Sequence, residues 1–346
     1  TTEDRARQTV SMISVKGGAS RIIVQGAGYV DDVQFTPDSK LMVYSETTSS
    51  KPTELYKVFS TGGAPEALTR INEDRLRPYD LKPAEDFFVT SFDHAKVHSL
   101  MIKPPGFQEN RKYPMLLLIH GGPQGAWGNN WSYRWNAQVF ANAGFVVVMP
   151  NTRGSTGYGT KYTDGINQDW GGKVYDDLMA VMSHVEQFPF VDKQRMSAAG
   201  GSFGGYMVNW ILGHDSRFKA LISHAGVYDL VSMFGETEEL WFPLWEFGGP
   251  PWERPDIYER LSPSKHVSSF RTPTLVIHGE LDYRVSVGQG LQLFTALQMM
   301  KVPSKLLLFP DEGHWIQKPQ NSILWYRTFL EWIDVWTKVP SPAATQ

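Results

Sequence analysis

The stretch Gly200-Gly201-Ser202-Phe203-Gly204-Gly205-Tyr206 restricts this chain more than any other. It follows a short apolar run, Arg195-Met196-Ser197-Ala198-Ala199, that reads as a buried strand, and it leads into Met207-Val208-Asn209-Trp210-Ile211-Leu212, which has helical character. A strand, a tight turn and a helix in that order leave no room at the turn, so a side chain at either flanking glycine would collide with neighbouring backbone. The serine then projects from the top of a sheet, and the N–H of Phe203 is directed at any negative charge developing beside it. The plain alternative is a glycine-rich turn with an incidental serine, which a chain with 31 glycines can supply. The rest of the chain has to decide.

From residue 87 onward, buried strands alternate with amphipathic helices, the sign of a mostly parallel sheet with helices on both faces. Strands are predicted at 114–119, 145–149, 195–199, 220–223, 274–277 and 306–309, and helices at 133–143, 174–187, 204–212, 287–300 and 323–336. Residues 87–91 and 97–102 read as a hairpin of edge strands. An aromatic excursion at 228–261, with Trp241, Phe242, Trp245, Phe247 and Trp252, interrupts the rhythm and is expected to wall or cap the site. A chain of 346 residues, 41% hydrophobic and 20% charged, can fill one large core of this kind and a smaller one besides.

Residues 1–74 differ in kind: short alternating strands are joined by turns such as Pro37-Asp38-Ser39. Met12-Ile13-Ser14-Val15 before Gly17-Gly18-Ala19 recurs as Leu55-Tyr56-Lys57-Val58 before Gly62-Gly63-Ala64. The repeat of 45 residues falls in the range of β-propeller blades. One blade and part of another cannot close a propeller, which takes about 4–8, so this piece is expected to be the last blades of a longer propeller or else a strand-rich extension. Residues 75–86 then read as a linker, 87–340 as the main domain and 341–346 as a tail.

A serine hydroxyl needs a base, and the base needs an acid that holds its tautomer. With the serine on such a turn, the chain order is serine, acid, histidine. Of nine histidines, only His314 lies beyond the strand at 306–309, in Asp311-Glu312-Gly313-His314. Asp282, in His278-Gly279-Glu280-Leu281-Asp282, is the preferred acid, with Asp229 one strand earlier as competitor; His278 reads as a packed supporting residue. A second oxyanion donor is expected from His120-Gly121-Gly122-Pro123, with Gly122 supplying the N–H. His120 either steadies that loop or is simply a buried imidazole. Asn151 to Gly159 is glycine-rich after a strand, yet Thr160 separates Gly159 from Lys161, so it is no Walker phosphate cradle. With no cysteine, no His-Glu-x-x-His and no calcium loop, no metal or cofactor is expected. A net charge of −3 without basic runs argues against a nucleic-acid surface, and no apolar run approaches a membrane span. The compartment stays open.

Taken together, His120 to Gly125, Asn151 to Gly159, Gly200 to Tyr206, His278 to Val285 and Asp311 to His314 resemble the prolyl oligopeptidase family of serine peptidases, on its acylaminoacyl-peptidase and dipeptidyl-peptidase V-like branch. That resemblance covers roughly residue 81 to the C-terminal helix. It implies an α/β-hydrolase fold preceded by a propeller, a triad of Ser202, Asp282 and His314, and an oxyanion hole shaped by Phe203 and Gly122. Phe203 stands where a tyrosine is usual, which keeps the backbone donor and removes a hydroxyl. Arg284 aligns with a position beside bound peptide in relatives, with a surface ion pair as the alternative. Glu238, Glu239 and Glu246 are candidates to hold a substrate amine, and Val227, Trp241 and Phe242 to line an apolar pocket. The expected activity is release of dipeptides or acyl-amino acids from short peptides. A carboxylesterase acting on small esters is the alternative, made more plausible by the incomplete propeller, and a non-catalytic assembly subunit is a third reading. An uncovered propeller-facing surface predicts self-association or pairing with the missing propeller segment.

Overall fold

A computed structural model describes residues 1–337. The 8-stranded sheet runs in the order Ser304–Phe309, Thr274–Gly279, Ala220–His224, Val191–Gly201, Tyr113–Ile119, Val146–Asn151, Lys96–Ile102 and Glu85–Thr90. The first six of these strands are mutually parallel; the other two join antiparallel. Central strands read as unbroken apolar runs because both faces are covered. Along Tyr113–Ile119 the side chains alternate between two cores. Met115 and Leu117 pack under helices Lys173–Val185 and Phe203–His214, while Leu116 and Leu118 pack under Ala137–Asn142 and Pro319–Thr337.

Three expectations need correction. Lys96–Ile102 is not an edge strand but lies between Val146–Asn151 and Glu85–Thr90, so only the latter is the edge. The helix expected at 133–143 begins at Ala137, where the Asn136 side chain caps it by accepting from the Gln138 N–H. The linker at 75–86 overlaps the end of a short helix, Glu73–Leu76, and the start of strand Glu85–Thr90. The tail at 341–346 lies outside the described residues.

Before the main sheet come a 3-stranded sheet (Thr2–Asp4, Arg7–Met12, Arg21–Gln25) and a 4-stranded antiparallel sheet (Tyr29–Phe35, Leu41–Thr48, Lys51–Phe59, Glu66–Ala67). They share one small core around Val10, Val30, Met42 and Tyr44. The 45-residue sequence repeat has a structural counterpart in its two turns. Gly17 and Gly18 have φ of 84° and 114°, Gly62 and Gly63 of 88° and 135°, and each pair precedes a strand. This region is tied to the main domain by Arg7, whose guanidinium grips Asp86 at 2.8 and 2.7 Å. Asp86 in turn meets His98 at 2.8 Å, and His98 meets the Tyr158 hydroxyl at 2.6 Å.

Candidate active site

Strand Val191–Gly201 ends at the turn and helix Phe203–His214 starts one residue after Ser202. A Cβ at Gly200 would stand 2.3 Å from the Gly204 carbonyl oxygen, and one at Gly204 2.1 Å from that of Ile119, so neither position accepts a side chain. Ser202 itself has φ 60° and ψ −121°, a sparsely populated conformation costing on the order of 1–3 kcal/mol. Surrounding bonds hold it there: the Ser202 N–H donates to the His224 carbonyl at 2.9 Å and its carbonyl accepts from the Tyr206 N–H at 2.9 Å.

Strand Thr274–Gly279 delivers Asp282, and the loop after Ser304–Phe309 delivers His314. His314 Nδ1 donates to Asp282 Oδ2 at 2.7 Å. The other oxygen of Asp282 accepts the N–H groups of Arg284 and Val285, each at 3.0 Å. Burial pushes this carboxyl up, but hydrogen bonds from His278 and His314 outweigh it and hold Asp282 well below the usual carboxylate range. The competitor Asp229 is engaged elsewhere, capping helix Leu230–Glu236 and accepting from the Ser264 hydroxyl at 2.6 Å. His278 is a supporting residue: its Nε2 bonds the Val285 carbonyl at 2.8 Å and sits 3.5 Å from Asp282.

Gly122, at φ 130°, lies in a loop folded against the turn: a Cβ on its neighbour Gly121 would meet Ser202 Cβ at 3.3 Å. Buried His120 spans this loop, with Nδ1 2.8 Å from the Gly121 carbonyl and Nε2 2.9 Å from the Ser155 hydroxyl. Burial keeps it neutral, so Nδ1–H donates and Nε2 accepts. Both alternatives for His120 therefore apply.

Ser202 and His314 line two cavities at once. One, of about 780 Å³, is walled by Phe203, Val227, Trp241, Phe242, Glu239 and Arg284, so the aromatic excursion does face the site. Glu238 is not among its lining residues and lies 3.7 Å from Arg284, which also meets Glu239 at 3.0 Å. Arg284 is thus ion-paired and in the cavity wall together. The second cavity, of about 490 Å³, is bounded by the Gly121–Gly125 loop, Trp127, Arg134, Trp135, His224 and Trp315.

Several residues at the site have partners that no local sequence pattern predicts, among them Glu246, expected above as a candidate to hold a substrate amine. Glu246, fully buried, accepts from Gln124 Nε2 at 2.6 Å and from the Trp170 indole at 2.7 Å, tying the glycine loop to the cavity floor. His224 accepts from the Trp325 indole at 3.1 Å and is pushed down to about 3 by burial and by the neighbouring His278 and His314. Arg153, read only as part of a glycine-rich run, is buried against Asp177 with a 2.9 Å Nε bond. A tryptophan following two strands and a carboxylate in an aromatic run were the available cues, but each pairs across 76 residues or more. Among the described residues, no group of three or more His, Cys, Asp or Glu is placed to hold a metal ion, and no helix is long and apolar enough to cross a membrane.

A serine on a strained strand-to-helix turn, an acid-backed histidine after the last parallel strand and a glycine loop facing both define an α/β-hydrolase architecture. The chain belongs to the prolyl oligopeptidase family, whose pattern it matches over residues 131–339. It is 38% identical over 334 residues to dipeptidyl-peptidase 5 of Porphyromonas gingivalis, covering 94% of this chain and 48% of that protein. Dipeptidyl-peptidase 5 of Schizosaccharomyces pombe is 47% identical over 246 residues, 70% of this chain and 36% of that one. Among solved structures, Pyrococcus horikoshii acylaminoacyl peptidase superposes with a TM-score of 0.88 at 25% identity, over 98% of this chain and 54% of its own. The chain spans about half, or less, of the length of the curated relatives it matches.

Proposed function

We propose that this chain is a serine peptidase that removes short N-terminal segments from small peptides through an acyl-enzyme on Ser202. The 2.7 Å contact between His314 and Asp282, at the junction of two cavities shared with Ser202, is the observation that carries the reading. Ser202 Oγ attacks the peptide carbonyl carbon while its proton passes to His314 Nε2. Asp282 remains ionised and holds the opposite tautomer, with Nδ1–H donating to it. The N–H groups of Phe203 and Gly122 receive the developing oxyanion. As the C–N bond breaks, the leaving amine takes the proton from His314; water then attacks the ester with His314 as base, and Ser202 is regenerated.

The larger cavity accommodates the residue before the cleaved bond, against Val227, Phe242 and Trp241, and Glu239 supplies negative charge for a free amine. Dipeptide release is the form of the reaction favoured by the dipeptidyl-peptidase relatives. The first 74 residues we assign to propeller-type blades, on the matched glycine turns and the four-stranded antiparallel sheet.

The test compares kcat/KM for an unblocked dipeptidyl p-nitroanilide with that for a short p-nitrophenyl ester, using Ser202→Ala as the blank. Amide turnover that disappears in the variant supports the peptidase. Ester turnover alone makes the chain a carboxylesterase, since only an amine leaving group demands protonation by His314. Silence toward both substrates and toward an organophosphonate probe returns it to a binding role.

A further inference from the structure

The two cavities that meet at Ser202 differ in charge. The larger is lined by three carboxylates, Asp164, Glu239 and Glu246, against one guanidinium, Arg284, already 3.0 Å from Glu239. The smaller is lined by no carboxylate, and Arg134 is its one permanently charged side chain. The Arg134 guanidinium lies 4.2 Å over the ring of Trp315, the residue after the base. Partial burial lowers its pKa, and no salt bridge to it is found among the described residues.

A stacked guanidinium spends its face on the ring and keeps its edge N–H groups, the fork that matches a carboxylate, free for a partner. Arg134 is exposed and lines the same cavity as Ser202, so its guanidinium edge is open to an anion that enters there. A free peptide is itself dipolar, with an amine at one end and a carboxylate at the other. Laid across Ser202 with its amine toward the acidic cavity, it brings its carboxylate toward Arg134.

We propose that the smaller cavity receives the segment that follows the cleaved bond and that Arg134 binds a carboxylate on that segment, so that the site selects short peptides with a free C-terminus. This rests on the peptidase reading above. Both volumes, about 780 and 490 Å³, suit occupants of a few residues. Arg134 is a specificity determinant here and takes no part in proton transfer.

The experiment uses a set of peptides with one common N-terminal dipeptide followed by Gly-Gly, as the free acid and as the C-terminal amide, with the p-nitroanilide of the same dipeptide as reference. The acid is expected to exceed the amide in kcat/KM by about tenfold, the order of one charge-assisted contact at a partly exposed site. In Arg134→Gln that ratio falls to near one, and in Arg134→Lys it recovers in part; because the ratio is internal to each variant, a loss of folded protein does not imitate the effect. An amide carrying aspartate in the leaving segment separates the two sources of carboxylate: matching the acid assigns the subsite to acidic side chains, and matching the plain amide assigns it to chain ends. If the p-nitroanilide is cleaved but acid and amide do not differ, or if Arg134→Gln keeps the full ratio, the subsite is overturned while the peptidase reading stands. If all of these substrates are inert, both fall.

Discussion

Two carboxylates near Ser202 are shut away from water and have opposite acidities. Asp282 and Glu246 are 2% and 0% exposed, and burial alone pushes both upward. Asp282 is nevertheless driven far down, because two imidazoles and two backbone N–H groups converge on it. Glu246 receives only neutral donors, the Trp170 indole and the Gln124 amide, so burial, helped by the like charge of Asp164, keeps it raised. Depth of burial therefore says little about which acid can stabilise a cation. The charge of the neighbours decides, and it keeps Asp282 ionised against His314 while Glu246 is left among neutral donors.

Removing each charge tests the contrast most severely. Asp282→Asn is expected to lower kcat by about 10⁴-fold through the wrong tautomer of His314. Glu246→Gln, measured on the same p-nitroanilide, is expected to act mainly through KM, by about tenfold, because one of its two donors loses an acceptor. Equal losses in kcat would break the comparison. A third buried group extends it to histidine. His224 has a folded pKa of about 3, below its unfolded value, so the unfolded state takes the proton first and stability falls as pH drops from about 6.5 toward 3. The slope attributable to it approaches about 1.4 kcal/mol per pH unit, and urea unfolding of wild type against His224→Gln across that window should reveal it; parallel curves would refute it.

The two carboxylates should also shift stability in opposite directions. Asp282 has its folded pKa below the unfolded one, so its contribution is present above the ordinary carboxylate range and is lost as pH falls through the folded value. The deficit of Asp282→Asn relative to wild type should shrink on acidification below about pH 4. Glu246 has its folded pKa raised, so its contribution is present at low pH and is lost as pH rises through that value. Glu246→Gln should gain on wild type as pH rises above about 4, and a gain on acidification instead would reverse the assignment. The smallest effect is at Asp86, whose partner Arg7 is 31% exposed; Arg7→Gln is expected to cost no more than about 1 kcal/mol in thermal or urea unfolding.

The strand-to-helix turn at Ser202, the parallel sheet and the Asp282–His314 contact were legible because each follows from local pattern plus chain order. Gly200 and Gly204 announce a turn that admits no side chain, and the position after strand Ser304–Phe309 leaves one histidine. The competitor Asp229 could be dismissed only once its helix-capping bond was visible. The inner place of Lys96–Ile102 is not legible in its own residues, because it depends on antiparallel pairing with Val146–Asn151, 45 or more residues away, and its polar His98 and Ser99 are buried there. Glu246 with Gln124, and Trp325 with His224, stay hidden for a different reason: they are separated by 122 and 101 residues, and no periodicity encodes such pairings.

The bond from Trp325 to His224, and the Tyr326 hydroxyl that accepts the Asn136 N–H at 2.8 Å, place the C-terminal helix against the floor of the smaller cavity. During translation this imposes an order of events. A ribosome-held chain can form the turn around Ser202 well before the segment bearing His314 has been made, and at about 5–20 residues per second the interval is on the order of ten seconds. Through that interval Ser202 stands without His314, and the helix that seats His224 emerges later still. The parts of the site therefore become available in chain order, the turn around Ser202 first and the loop of His314 after it.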